Sequence, residues 1–307
     1  MKRRDILKTA ASGAALSWLA RACGPGPKPP GPDGGGGPQP VTALTDGLSL
    51  YDDFDGNGNL QTIDGQPLAV AGLLSSRIWG GTYGTEMLEN PFSSPPSAIV
   101  KGEELRASAS VAAARSGYIL RVTNILNSFM KVLLSNPETI DFPDFKSLSA
   151  DVLLSSASMT ANGGAGVDYH TTIPEQPPGK SWWADIFIVK GVSGEAFLMG
   201  HYTNINTGST ASHWLGPAEL DTWYNLRLDI LTRRDDASLS DEEIRLDFYV
   251  GGEYRDSLFP EDSAILLDPE RTGLGPHRSL VVWSEQGSEN VFGYFDNVRA
   301  VYQDRIE

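Results

Sequence analysis

The sequence predicts an all-β protein, one antiparallel sandwich of two sheets, and three observations carry that expectation. From Val41 onward, short apolar runs alternate in period two and are separated by Gly, Pro, Asn and Asp, the pattern of half-buried strands joined by turns. Thirty-three Gly, 20 Pro and only 21% charged residues in 307 suit a loop-rich strand protein better than a helical bundle. No repeat and no internal shift of composition divides the stretch 41–307, so it reads as a single domain.

The expected strands are Leu48–Asp53, Ile99–Ala107, Tyr118–Thr123, Met130–Ser135, Ser147–Leu154, Ala165–Thr172, Ala184–Val189, Ala196–Tyr202, Trp223–Leu231, Ile244–Val250, Glu253–Leu258, Leu280–Ser284 and Phe292–Gln303. Two alternate cleanly: Ile186 and Ile188 against Phe187 and Val189, and Leu226, Leu228 and Ile230 against Asn225, Arg227 and Asp229. One apolar and one polar face is what an antiparallel strand at a core boundary requires. Helical character is modest and confined to Leu68–Ile78 and the stretch from Arg115.

Residues 1–23 have a basic start, an apolar middle and small residues near the end, which is the anatomy of an export signal. Arg3-Arg4-Asp5-Ile6-Leu7-Lys8 resembles a twin-arginine translocation motif, implying export in a folded state. Leu19-Ala20-Arg21-Ala22-Cys23 resembles a bacterial lipoprotein cleavage box. Cys23 would be the lipidated residue, although Arg21 departs from the small residue expected there. As the sole cysteine, Cys23 excludes an intramolecular disulfide. Residues 24–40 (GPGPKPPGPDGGGGPQP) carry no apolar side chains to offset the entropy of ordering and read as a flexible stalk.

The formal charge is −15, and without the basic leader it is −19 (19 bases against 38 acids). Such a surface repels nucleic acid and anionic lipid, so the expected membrane link is the lipid anchor alone. The four histidines lack zinc-type spacing, no Gly-x-Ser-x-Gly elbow occurs, and Gly35 to Gly37 lack the strand and Lys-Ser/Thr of a phosphate loop.

Asp53, Asp55 and Asn57 stand two apart, Gly58 permits a sharp turn, and Asp64 falls at the twelfth position. That is the oxygen-ligand spacing of a calcium loop, with Asp at the end where Glu is usual. The same residues also favour a turn without any ion.

Leu50-Tyr51-Asp52-Asp53-Phe54, Asp221-Thr222-Trp223-Tyr224-Asn225-Leu226-Arg227-Leu228-Asp229 and Phe295-Asp296-Asn297-Val298-Arg299-Ala300-Val301-Tyr302 together resemble the concanavalin A-like lectin/glucanase jelly roll. Glu243 to Glu253 fits the hairpin that follows the Trp-Tyr strand in that superfamily. The resemblance implies a jelly-roll sandwich and a structural calcium tying the first strand to the last, with Asp52 or Asp53 and Asp296 as ligands. It leaves activity open, because the same sandwich carries lectins, glycosidases, lyases and adhesion modules.

Tyr169, His170, Trp182, Trp183, His201, Tyr202, His213 and Trp214 concentrate aromatic and polar groups in one region. Sugar rings stack C–H faces on aromatic surfaces while their hydroxyls take hydrogen bonds, so this region is the expected glycan-binding face. Trp223 reads as core. A second reading uses His170, His201 and Tyr202 as the acid/base set of a polysaccharide lyase, with Arg115 or Arg121 neutralising a uronate carboxylate. The paired-Glu strand of a retaining glycosidase is absent. The leading expectation is an exported, lipid-anchored, glycan-binding jelly roll without catalysis. A lyase and a purely structural or adhesion module are the alternatives.

Overall fold

The computed structural model describes residues 49–52, 60–62, 67–68, 98–105, 115–124, 128–133, 145–158, 163–173, 180–191, 193–204, 207–260, 277–284 and 291–302. In chain order the strands are β1 (Ser49–Asp52), β2 (Leu60–Thr62), β3 (Pro67–Leu68), β4 (Ala98–Lys101), β5 (Tyr118–Asn124), β6 (Ser128–Leu133), β7 (Phe145–Leu154) and β8 (Gly163–Ile173). They continue with β9 (Lys180–Lys190), β10 (Ala196–Asn204), β11 (Ser209–Ala218), β12 (Tyr224–Leu231), β13 (Arg245–Val250), β14 (Glu253–Leu258), β15 (His277–Ser284) and β16 (Val291–Tyr302). All pairings are antiparallel.

Two sheets result, as a jelly-roll sandwich requires. The larger runs β14-β13-β12-β7-β16-β1-β2-β3, with β5 on β16 and β4 on β5; the smaller runs β11-β10-β9-β8-β15-β6. Period-two side chains face each other across the space between them. Leu148, Ala150, Val152, Leu226, Leu228, Leu246, Phe248 and Phe295 come from the larger sheet, and Ala165, Val167, Ile186, Ile188, Leu280 and Val282 from the smaller; all are buried in one cluster. Trp223 is half-buried, packed against a satellite cluster of Val100, Leu105, Ile119, Leu153 and Tyr294 rather than in this main core.

Gly200 on β10 faces the core where Phe248 of β13 crosses it. A Cβ at Gly200 would lie 2.7 Å from Phe248 Cδ2 and 2.8 Å from Cε2 and Cγ of the same ring. Gly200→Ala is therefore expected to cost about 1–3 kcal/mol through overpacking, read as a lowered urea midpoint at unchanged slope.

Several expectations need correction. The strand expected over Ile99–Ala107 stops at Lys101, where a 3₁₀ turn, Gly102–Glu104, begins. Helical character from Arg115 does not materialise: residues 115–117 bend directly into β5, with Gly117 at φ 82°. The strand β11 was not expected at all, because Gly216 and Pro217 interrupt any alternation; as a sheet edge it tolerates both. The chain bulges there, Leu198 pairing Gly216 and Met199 pairing Trp214, which turns the skipped Leu215 into the core. The stretch 69–78, the leader and the stalk lie outside the described residues.

Candidate functional site

The small sheet buries one face against the large sheet and turns the other away from the core. On that outer face, residues brought opposite one another by strand register form rows. Asp168 of β8 pairs Asp185 of β9, Asp185 pairs His201 of β10, and His201 pairs Ser212 of β11. One step along, His170, Trp183, Thr203 and Thr210 hold equivalent places, with His277 opposite His170. One step the other way come Gly166, Phe187, Met199 and Trp214.

The middle row is unusually polar for its burial: Asp168, Asp185 and His201 are all buried. His201 Nδ1 lies 3.1 Å from Asp185 Oδ2. Its Nε2 lies 2.9 Å from Thr203 Oγ1 and 3.2 Å from Thr210 Oγ1, and the two hydroxyls are 2.9 Å apart. Burial pushes the imidazole down to about 4, with the Asp168 charge pulling it part of the way back. The ring is thus neutral at pH 7. With Asp185 as acceptor, Nδ1–H donates to the carboxylate and Nε2 accepts from a threonine hydroxyl. The Thr210 hydroxyl also reaches the Tyr202 carbonyl, 3.1 Å away.

Beside this row lies an apolar floor of Phe187, Val189, Met199 and Trp283, all buried, with Phe197 packed against it. Phe187 meets Trp283 edge-on at 6.1 Å and His201 at 6.3 Å between centroids. Gly164 of β8 makes the floor possible, since a Cβ there would collide with the Trp283 indole. At the β11 edge Trp214 is 47% exposed, more open than any other large apolar side chain among the described residues except Phe259. Trp183 is half-buried.

Among the residues singled out from sequence, this face collects His201, Trp183 and Trp214, with His170 at the matching backbone position. Trp182 lies on β9 opposite Asn204 and Thr171. Tyr169 and Tyr202 do not belong to the face. Both pack into the core, and the Tyr202 hydroxyl meets Ser209 Oγ at 2.8 Å. A strand sends neighbouring side chains to opposite faces, so His201 and Tyr202 cannot serve one groove. The acid/base set His170, His201 and Tyr202 is thereby broken. Its arginine is missing too, because Arg121 sits on β5 of the other sheet and Arg115 precedes that strand. His213 also leaves the face: its Nδ1 reaches Asp256 Oδ2 of β14 at 2.7 Å, tying the two sheets at their shared edge.

Sequence reasoning missed Asp168, Asp185, Thr203 and Thr210. None has a local signature; only cross-strand register, pairing Thr203 with Thr210 seven positions on and Asp168 with Asp185 seventeen on, assembles them.

Around Asp296, one of the residues the resemblance offers as a calcium ligand, the described residues form an ion-pair cluster. Arg115 Nη1 lies 2.8 Å from Asp151 Oδ2 and 2.6 Å from Asp296 Oδ2, while its guanidinium stacks on Trp223 at 4.0 Å. Asn297, at φ 49°, and Asn225 donate to the two Asp151 oxygens. Burial raises the Asp296 carboxyl, partly offset by Arg115. Burial also works on Asp151, but its hydrogen bonds from Asn297, Asn225 and Arg115 outweigh it and hold the carboxyl low. A guanidinium supplies positive charge to both carboxylates. No group of three His, Cys, Asp or Glu suited to a metal occurs among the described residues. Asp52 is on β1 opposite Val298; Asp53, Asp55, Asn57 and Asp64, like Cys23, lie outside the described residues.

No family model matches the chain, and no curated protein matches it. Among solved structures, alginate lyase vAL-1 from Chlorella virus is similar at 11% identity and a TM-score of 0.38, covering 67% of this chain and 88% of its own. The laminarinase catalytic domain from Thermotoga maritima is 10% identical at a TM-score of 0.38, covering 70% of this chain and 94% of that one. The carbohydrate-binding module CBM66 from Bacillus subtilis is 9% identical at a TM-score of 0.31, covering 66% and 91%. Likeness at this level assigns no chemistry to the chain.

Proposed function

We propose that the chain binds a neutral glycan along the outer face of its small sheet. The observation that carries the reading is an open tryptophan at the rim of a polar and aromatic face: Trp214 stands exposed opposite Met199 of the apolar floor, next to the His201 row, with Thr203 and Thr210 one step beyond. An indole offers a sugar ring a flat apolar surface, while threonine hydroxyls and a neutral imidazole match its hydroxyls. Buried carboxylates at Asp168 and Asp185, and the strongly acidic composition, disfavour polyuronates and other polyanions.

Trp214→Ala is expected to weaken binding about 30-fold, corresponding to the roughly 2 kcal/mol of a binding hot spot, without shifting the thermal midpoint. Titration calorimetry over a panel of neutral and acidic oligosaccharides checks it. Tightest binding to a polyuronate, or no effect of the substitution, would sink the reading.

Delivery to the cell envelope follows from the leader: export by the twin-arginine route and lipid attachment at Cys23, supported by residues 3–8 and 19–23. Loss of palmitate incorporation in Cys23→Ser tests the anchor. A calcium ion in the Asp53–Asp64 loop is supported by ligand spacing alone. A fall in thermal midpoint on adding a chelator, reversed by calcium, tests it.

A further inference from the structure

The polar row does more than offer hydrogen bonds to a sugar. It joins a hydroxyl at the surface to a buried carboxylate through an imidazole. Thr210 is exposed, its Oγ1 lies 2.9 Å from Thr203 Oγ1, Thr203 Oγ1 lies 2.9 Å from His201 Nε2, and His201 Nδ1 lies 3.1 Å from Asp185 Oδ2. Thr210 Oγ1 is itself 3.2 Å from Nε2. A hydroxyl within reach of an imidazole, whose other nitrogen is oriented by a carboxylate, is the arrangement that activates an alcohol for attack on a carbonyl.

We propose that Thr210, Thr203, His201 and Asp185 form an acyl-transfer centre that removes ester-linked acyl groups from the neutral glycan held on this face. The glycan part of the proposal rests on the binding reading above; the chemistry of the centre does not. Thr210 Oγ1 bonds to the ester carbonyl carbon while its proton passes, directly or through the Thr203 hydroxyl, to Nε2. The carbonyl π pair moves onto oxygen. When that pair returns, the bond between the carbonyl carbon and the sugar oxygen breaks, and the sugar oxygen takes the proton from Nε2. Water then attacks the acylated Thr210 by the same proton path, releasing the carboxylic acid and restoring the hydroxyl. Asp185 holds Nδ1–H and stabilises the imidazolium formed in each half, with the Asp168 charge adding to it. Because β11 is a sheet edge among the described strands, every second N–H along it points away from β10, the direction from which the proposed step would draw a donor to the developing oxyanion.

The test uses the full chain with two probes that need no glycan, p-nitrophenyl acetate and an alkyl fluorophosphonate. The expected result is turnover of the ester, with a rate that falls as the pH drops through about 4 where the imidazole protonates, and one phosphonate adduct mapped by mass spectrometry to Thr210. Thr210→Val and His201→Gln are expected to lower turnover by about 100-fold or more and to abolish the adduct. Thr210→Ser, which keeps the hydroxyl, is expected to restore both, separating chemistry from misfolding. A folded wild-type chain that neither turns over the ester nor takes the label, or an adduct elsewhere, overturns the proposal. Aryl ester turnover without binding to any neutral glycan would instead remove the binding reading and leave the centre standing. Release of acetate from an O-acetylated neutral glycan would support both.

Discussion

Asp247→Ala is expected to destabilise the domain by about 3–5 kcal/mol, the scale for breaking a buried ion pair from one side. The carboxylate is fully buried on the outer face of the large sheet, where β12, β13 and β14 line up Asp229, Asp247 and Ser257. Arg245 grips Asp247 with two parallel bonds, Nε to Oδ1 at 2.8 Å and Nη2 to Oδ2 at 2.9 Å, and its third contact goes to Asp236. The Ser257 hydroxyl donates to the same carboxylate. Removing it takes both parallel bonds from a guanidinium that is itself 2% exposed and leaves Asp236 to compensate the buried charge. Denaturant unfolding of the single variant should show the loss. Replacing both partners, Arg245→Met with Asp247→Leu, should recover most of it, since the cost lies in a buried charge left under-compensated more than in the missing attraction. A single variant within 1 kcal/mol of wild type would refute the assignment.

Stability is expected to stay nearly level between pH 6 and pH 4, because two buried groups titrate there with opposite effect. His201 is held neutral, its pKa lowered from 6.5 to about 4, so the unfolded chain takes up its proton first and stability is lost as pH falls through that window. Asp229 is displaced the other way, from 3.8 to about 6, chiefly by burial, with Asp247 and Asp235 adding and Arg227 and Ser147 opposing. Here the folded chain takes up the proton first, so stability rises as pH falls from 6 to 3.8. Each displacement corresponds to about 3 kcal/mol. Asp229→Asn should therefore expose the histidine and make the protein acid-labile below pH 6, whereas His201→Gln should leave a protein that gains stability on acidification. Asp296, raised by burial, reinforces Asp229; Asp151 and Asp256, both held low, lose their contributions only below 3.8. Thermal midpoints at closely spaced pH check it, and parallel profiles for the three proteins would refute it.

The architecture was legible where one face of a strand is apolar and the other is not. β9 and β12 alternate so regularly that the inward set, Ile186 and Ile188 or Leu226, Leu228 and Ile230, follows from period two alone. The edge strand β11 was hidden because its sequence, STASHWLGPA, carries small and polar residues, a glycine and a proline, and half its surface needs no core. The site was legible only in outline. Choosing between His201 and Tyr202 needed the register of a single strand, a one-residue question that composition cannot answer. The pairing of Asp296 with Arg115 joins positions 181 apart and has no trace in either neighbourhood.

The strand β16 lies in the middle of the large sheet, bonded to β7 on one flank and to β1 and β5 on the other. This strand thus sits where a keystone would. Without it β1, β5 and β7 have no common neighbour in the sheet, and the core loses Val291, Phe295 and Val298. A chain truncated before Val291 is expected to become debris for proteases rather than a shortened but working protein.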